Sequence, residues 1–284
     1  MIEGLRRIAL GLVDHPEGVA IDADGTIWCG GEEGQVYVLR LDEEPREVAR
    51  LDGHLLGLAL DGAGAAYCVA LGARPGLYRV TREGETALVT EGTPERRARI
   101  PNHPLFLPDG TLLLTESGDF GADSGCTFAV PPGGAPETTR IADESCRRFP
   151  NGLALHPSGE EVWVVESTLP GVAALRLAAD GALSDYRVVC ETPGHVPDGI
   201  AFDVEGRALV SCWTPDTILL VERDGSVRTL LHDPLRQQLI SPANVAFVPG
   251  TATVVAANVG NRFLTVFEHD AVGAELPRPA LAAA

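Results

Sequence analysis

The phrase "PEGVAIDADGTIWCG" from Pro16 returns in altered form five more times along the 284-residue chain. It becomes "LLGLALDGAGAAYCV" from Leu55, "PNHPLFLPDGTLLLTES" from Pro101, "PNGLALHPSGEEVWVVES" from Pro150, "PDGIAFDVEGRALVSC" from Pro197 and "PANVAFVPGTATVVAAN" from Pro242. Each copy opens on a turn-like pair, runs through apolar positions, turns at a Gly-containing corner and enters a second apolar run. The second residues are Glu17, Leu56, Asn102, Asn151, Asp198 and Ala243, at steps of 39, 46, 49, 47 and 45 residues. A period of this size constrains architecture more firmly than local propensity does.

Further strand pairs such as "GQVYVLRL", "PGLYRVT" and "TILLVERDGSVRTLL" follow the phrases, so each period carries four strands. Asp-Gly-type corners and the lack of a long amphipathic pattern indicate an all-β protein. A four-stranded unit repeated six times predicts a six-bladed β-propeller, whose blades bury their faces against their neighbours around a central channel. Two stacked β-sandwiches are the alternative, but they do not require the period. The leading "RRIALGLV" has no blade of its own and is predicted to join the last blade beside "FLTVFEHD", closing one domain over residues 1–284.

Composition narrows the function. The 40 acidic residues outnumber 22 basic ones, all Arg, for a formal charge of -18. That balance argues against a nucleic-acid partner, which needs a basic face. Without Lys there is no lysine Schiff base or lysine general base. No stretch approaches the ~18 apolar residues of a membrane span, and the N-terminus lacks a signal-peptide apolar run. A soluble, cytoplasmic protein without a membrane partner is expected, with oligomeric state left open. The six cysteines form no CxxC and read as small buried hydrophobes, with Cys126 and Cys146 the pair that could bridge. The histidines lack HxH or HExxH spacing, and neither GxSxG nor GxGxxG occurs.

In a propeller, the residue opening the innermost strand of each blade projects toward the channel mouth. Of the six repeat positions, Glu17, Asn102, Asn151 and Asp198 carry oxygen donors. Asn-Gly and Asp-Gly are also ordinary turn formers, so a turn reading stays open for each residue alone. Glu17 at the same position has no turn rationale and favours a shared site. Carboxylates and a carboxamide gathered in a channel repel or stay unsatisfied unless a cation lies between them. Oxygen-only donors suit Ca²⁺ or Mg²⁺, and such sites also accept Mn²⁺ or Zn²⁺.

"HPEGVAIDADGTIW", "RFPNGLALHPSGEEVWVVES", "VPDGIAFDVEGRALVS" and "ANVGNRFLTVFEHDAVGAELPRP" together resemble the signatures of the senescence-marker-protein-30/gluconolactonase/luciferin-regenerating-enzyme family, from about Asp14 to Pro279. The resemblance implies one divalent cation, Ca²⁺ foremost, held by Glu17, Asn151 and Asp198. It implies a small-molecule substrate, a sugar lactone, opened by water with Asp198 as general base. Asn102 corresponds to a family Asn that contacts substrate or lies at the metal's edge. Arg99 stands three residues before it, where the family's substrate-gripping Arg stands two before. Glu116 falls at the strand end where family members place an acidic substrate contact. His103 adjoins Asn102 and is a candidate for acid/base work or for packing. Glu166 reads as structural, and Trp213 and Asn258 occupy comparable strand ends that could line the pocket.

Two other readings share this sequence. The altered Arg99 spacing and the apolar Leu105 and Phe106 leave room for another electrophile, such as a phosphotriester or a dedicated biosynthetic intermediate. A non-catalytic propeller with a structural cation would bind a protein through its rim instead.

Overall fold

Residues 4–134, 136–179 and 181–280 are described by the computed structural model. The apolar runs of the repeat form six four-stranded antiparallel sheets. Blade 1 runs from its inner strand Val19–Ile21 to Arg46–Arg50, blade 2 from Leu55–Leu60 to Thr86–Thr90, and blade 3 from Pro101–Phe106 to Arg140–Asp143. Blade 4 runs from Pro150–Leu155 to Leu183–Glu191 and blade 5 from Val196–Phe202 to Val227–His232. Blade 6 begins at Pro242–Phe247 and takes its outer strand from Arg6–Ile8, which pairs with Leu264–Glu268. The ring therefore closes with the predicted N-terminal strand, in a pairing only three residues long. No helix among the described residues is long and apolar enough to cross a membrane.

Why the blades stack follows from their composition. Second and third strands are apolar on both faces, as in "EVWVVE" and "GVAALRL", because each face meets a neighbouring blade. One hydrophobic cluster fills each of the six interfaces between blades. Between blades 4 and 5, Trp163 meets Phe202 edge-on at 5.0 Å, and between blades 2 and 3 Tyr67 meets Phe106 at 4.9 Å. All six cysteines are buried free thiols. Cys126 packs between blades 2 and 3 and Cys146 between blades 3 and 4, so the candidate pair is split by a sheet.

The inner strands are built differently. Pro opens three of them, at Pro101, Pro150 and Pro242, is second in a fourth at Pro197 and lies three residues before the fifth at Pro16, where a missing N–H is harmless on a channel-facing edge. In blades 2 to 6 the ladder breaks after the opening residues, for example between Pro150 and Leu153 and between Pro197 and Ile200. The two residues in each break are released from the register. The second of them is Gly in blades 2, 4 and 5, and Gly18 corresponds in blade 1.

These glycines are not turn residues. A Cβ on Gly152 would lie 2.7 Å from the Asp198 carbonyl oxygen and 2.8 Å from Gly199 Cα, and one on Gly199 would lie 2.6 Å from the Ala243 oxygen. Inner strands thus approach backbone to backbone, and hydroxyls of the second strands tie them across the gap. Thr115 Oγ1 donates to Asn151 O at 2.8 Å, Ser167 Oγ to Pro197 O at 2.8 Å and Ser211 Oγ to Ala243 O at 2.6 Å. Replacing Gly152 by Ala forces neighbouring backbone apart. We expect Gly152→Ala to lose about 1–3 kcal/mol of stability in urea denaturation.

Candidate active site

In blades 2 to 6 the break in the inner strand turns the repeat residue out of the ladder at the upper end of the channel, and in blade 1 Glu17 precedes the strand. Asn102, Asn151 and Asp198 are buried there, and the Glu17 side chain is 13% exposed. Ser167 Oγ spends its proton on Pro197 O, so it accepts from Asn151 Nδ2 at 3.3 Å, which fixes the orientation of the amide. Asn151 Oδ1 is then left without a partner, as are Asn102 Oδ1 and Asp198 Oδ1. Each such buried orphan costs about 1–3 kcal/mol. The three orphans occupy equivalent repeat positions in blades 3, 4 and 5.

The electrostatics agree. Burial pushes the Glu17 carboxyl well above the usual range, and the Asp198 carboxylate adds to it. Burial also raises Asp198, while a hydrogen bond from Asn151 draws it partway back. Two carboxylates and a carboxamide oxygen, short of positive partners, fit a hard divalent cation held by Glu17, Asn151 and Asp198.

His54, which motif spacing in the sequence passed over, brings Nε2 to 3.5 Å from Glu17 Oε2. That nitrogen is buried without a hydrogen-bond partner, and burial lowers the imidazole's proton affinity. The signal was positional. His54 stands two residues before the repeat residue of blade 2, as His15 does in blade 1.

The remaining candidates separate. Arg99 is exposed at the rim and pairs with Asp119 at 2.8 Å. Glu116 is buried, and its carboxylate accepts from the backbone amides of Arg99 at 3.0 Å and Ile100 at 3.1 Å. Burial raises its pKa against the pull of those amides. Glu166 does the same in blade 4, accepting from the Arg147 and Arg148 amides at 2.8 Å and from Tyr186 Oη at 2.7 Å. Asn258 accepts from the Ile240 amide at 2.9 Å in blade 6 and donates to Thr265 Oγ1 at 3.0 Å, so it latches an entry segment instead of lining the pocket. His103 packs against Gly57 below Asn102, with its pKa lowered to about 4 by burial.

Below this level the channel widens into a cavity of about 570 Å³, lined by side chains such as Leu58, Phe106, Ile200 and Phe247 from the inner strands. The segment from Gly273 to Arg278 crosses its lower mouth, with Ala274 N bonded to Phe202 O at 2.9 Å and Arg278 Nη2 to Ile21 O at 2.7 Å. At that end Asp203, His269 and Asp270 cluster within 4.8 Å. Arg207 already bridges them, at 2.7 Å to Asp203 and 2.5 Å to Asp270. The lower cluster is therefore balanced by a guanidinium, whereas among the described residues no cationic side chain is in ion-pair contact with Asp198.

A family profile described as SMP-30/Gluconolactonase/LRE-like region matches residues 16–254. Among solved structures, a gluconolactonase from Xanthomonas campestris is similar at 21% identity, covering 93% of this chain and 89% of that one, with a TM-score of 0.78. A luciferin-regenerating enzyme is similar at 16% identity, covering 98% and 99%, with a TM-score of 0.76. A calcium-binding protein, regucalcin, from Agrobacterium tumefaciens is similar at 15% identity, covering 98% and 97%, with a TM-score of 0.72. A comparison with curated protein sequences gives no match.

Because the folded chain binds protons at Glu17 and Asp198 more tightly than the unfolded chain does, this pair destabilises the cation-free protein as pH rises above about 4. In chelator at pH 8, Asp198→Asn should exceed the parent in stability by about 1.4 kcal/mol or more, a gap that closes toward pH 4. Urea denaturation at the two pH values measures it.

Proposed function

The chain belongs to the SMP-30/gluconolactonase/LRE-like family, and on that premise we propose that it is a divalent-cation-dependent hydrolase that opens a lactone at the upper mouth of the channel. The observation that carries this reading is the set of partnerless oxygens of Asn102, Asn151 and Asp198 gathered at one level with Glu17. Glu17, Asn151 and Asp198 hold the cation. The all-oxygen donor set, together with the calcium-binding neighbour, supports Ca²⁺. When bound, the cation supplies Lewis-acid polarisation of the lactone carbonyl.

The protein's own groups do the rest. Asp198 takes a proton from water as the water oxygen bonds to the carbonyl carbon. The ring C–O bond then breaks, and the proton on Asp198 passes to the departing alkoxide, giving a hydroxy acid. Asn102, with its free oxygen, accepts a substrate hydrogen bond at the rim. Arg99 stays at the rim in its pair with Asp119, Glu116 acts by holding the Arg99–Ile100 backbone, and His103 serves as a neutral wall below.

Lactone opening measured with Ca²⁺ and after chelation tests the reading. Chelation should abolish turnover, and Asp198→Ala should lower kcat by about 10²–10⁴-fold while the protein stays folded. Full activity after demonstrated metal removal would sink it. No turnover on any lactone, with an intact cation site, would favour the non-catalytic propeller.

A further inference from the structure

The residue two before each repeat position lies at the entry to an inner strand, on the rim of the mouth. In ring order these are Ser241, His15 and His54 from blades 6, 1 and 2, then Ile100, Phe149 and Val196 from blades 3, 4 and 5. Polar and apolar members are not interspersed. One contiguous half of the mouth is polar and the other apolar.

Two exposed aromatic side chains reinforce the apolar half. Phe120, from the loop between the second and third strands of blade 3, is 62% exposed and meets the Phe149 ring edge-on at 5.1 Å. That loop is fastened by the Arg99–Asp119 pair and by Asp119 N donating to Ser124 Oγ at 2.9 Å, so Phe120 is placed and not merely left out. Phe149 precedes Pro150–Asn151 and holds φ at 58°, a left-handed backbone unusual for a bulky side chain. Trp213, 39% exposed, stands in the ladder irregularity of blade 5, where Cys212 pairs with Pro197 and Thr214 with Val196. It is thus one strand away from Asp198.

The polar groups that would grip a sugar on this side are already engaged. Arg99 is paired with Asp119, and Glu116 is buried on the Arg99 and Ile100 amides. A polyhydroxylated ring would meet aromatic faces where it needs donors and acceptors, and unpaired polar groups are costly there.

Resting on the lactonase reading, we propose that this site takes a lactone bearing an aryl or alkyl substituent, not a polyhydroxylated sugar lactone, with the substituent docked on Phe120, Phe149 and Trp213. The ester ring then faces the polar half of the mouth and the cation-binding residues.

Two measurements on the full-length, Ca²⁺-loaded protein decide this. Trp28 and Trp163 are buried and shielded from a ligand at the mouth, so ligand-dependent changes in emission report Trp213. The non-hydrolysable 2-phenyltetrahydropyran should bind at least about tenfold more tightly than 1,5-anhydroglucitol, and phenyl-substituted δ-valerolactone should exceed δ-gluconolactone in kcat/KM by a similar factor. Phe120→Ala should bring both ratios down several-fold, whereas Val204→Ala, another exposed apolar change but at the lower end of blade 5, should leave them in place. Equal or tighter binding of the polyol, or ratios untouched by Phe120→Ala, overturns the proposal even if lactones are opened. Selective binding of the phenyl analogue without turnover of any lactone leaves the apolar mouth standing and removes the lactonase reading instead.

Discussion

Neighbouring inner strands approach backbone to backbone around the channel, and the rest of the molecule depends on that closeness. Gly18 faces the Leu56 carbonyl, Gly152 the Asp198 carbonyl and Gly199 the Ala243 carbonyl, at separations no Cβ tolerates. With the strands this near, the residue beside each glycine cannot stay in its own ladder and turns out at the upper end. Pseudo-symmetry then delivers an amide from blade 4 and carboxylates from blades 1 and 5 to one place. Packing of backbone comes first, and the site is its by-product.

The ring was legible because period survives local noise. Six phrases at a near-constant period, three of them opening on "EG", "NG" or "DG", marked six inner strands, and even the three-residue closing strand at Arg6–Ile8 could be anticipated from its lack of a blade. The reading of Asn151 and Asp198 as ordinary turn residues does not hold, since both lie inside strands and their glycines serve close approach. What sequence could not supply was the use of side chains at strand ends. Glu116 and Asn258 look like pocket-facing polar groups and Glu166 like a structural one, yet all three are consumed by backbone amides of the segment entering their own blade. His54 was hidden for a related reason. Its importance comes from proximity to Glu17 across a blade boundary, which no local motif encodes.

Charge is handled differently at the two ends of the channel. At the lower end Arg207 sits between Asp203 and Asp270, so the protein balances itself with its own guanidinium. At the upper end Glu17 and Asp198 repel, and the Asn151 amide offers partial relief through its N–H groups only. Five residue steps, roughly 16 Å, separate Asp198 from Asp203, which directly follows the Val196–Phe202 strand. A single strand thus carries a satisfied anion at one end and an expectant one at the other.

The chain segment laid across the lower mouth, tied to Phe202 on one side and Ile21 on the other, obstructs that end of the channel. On the proposed reading, a substrate reaches Asp198 by the upper mouth and leaves by the same route. Arrival and departure are then mutually exclusive, so a departing molecule acts as a competitor of the next arrival. Throughput in such a channel is set by residence at the rim as much as by events beneath it.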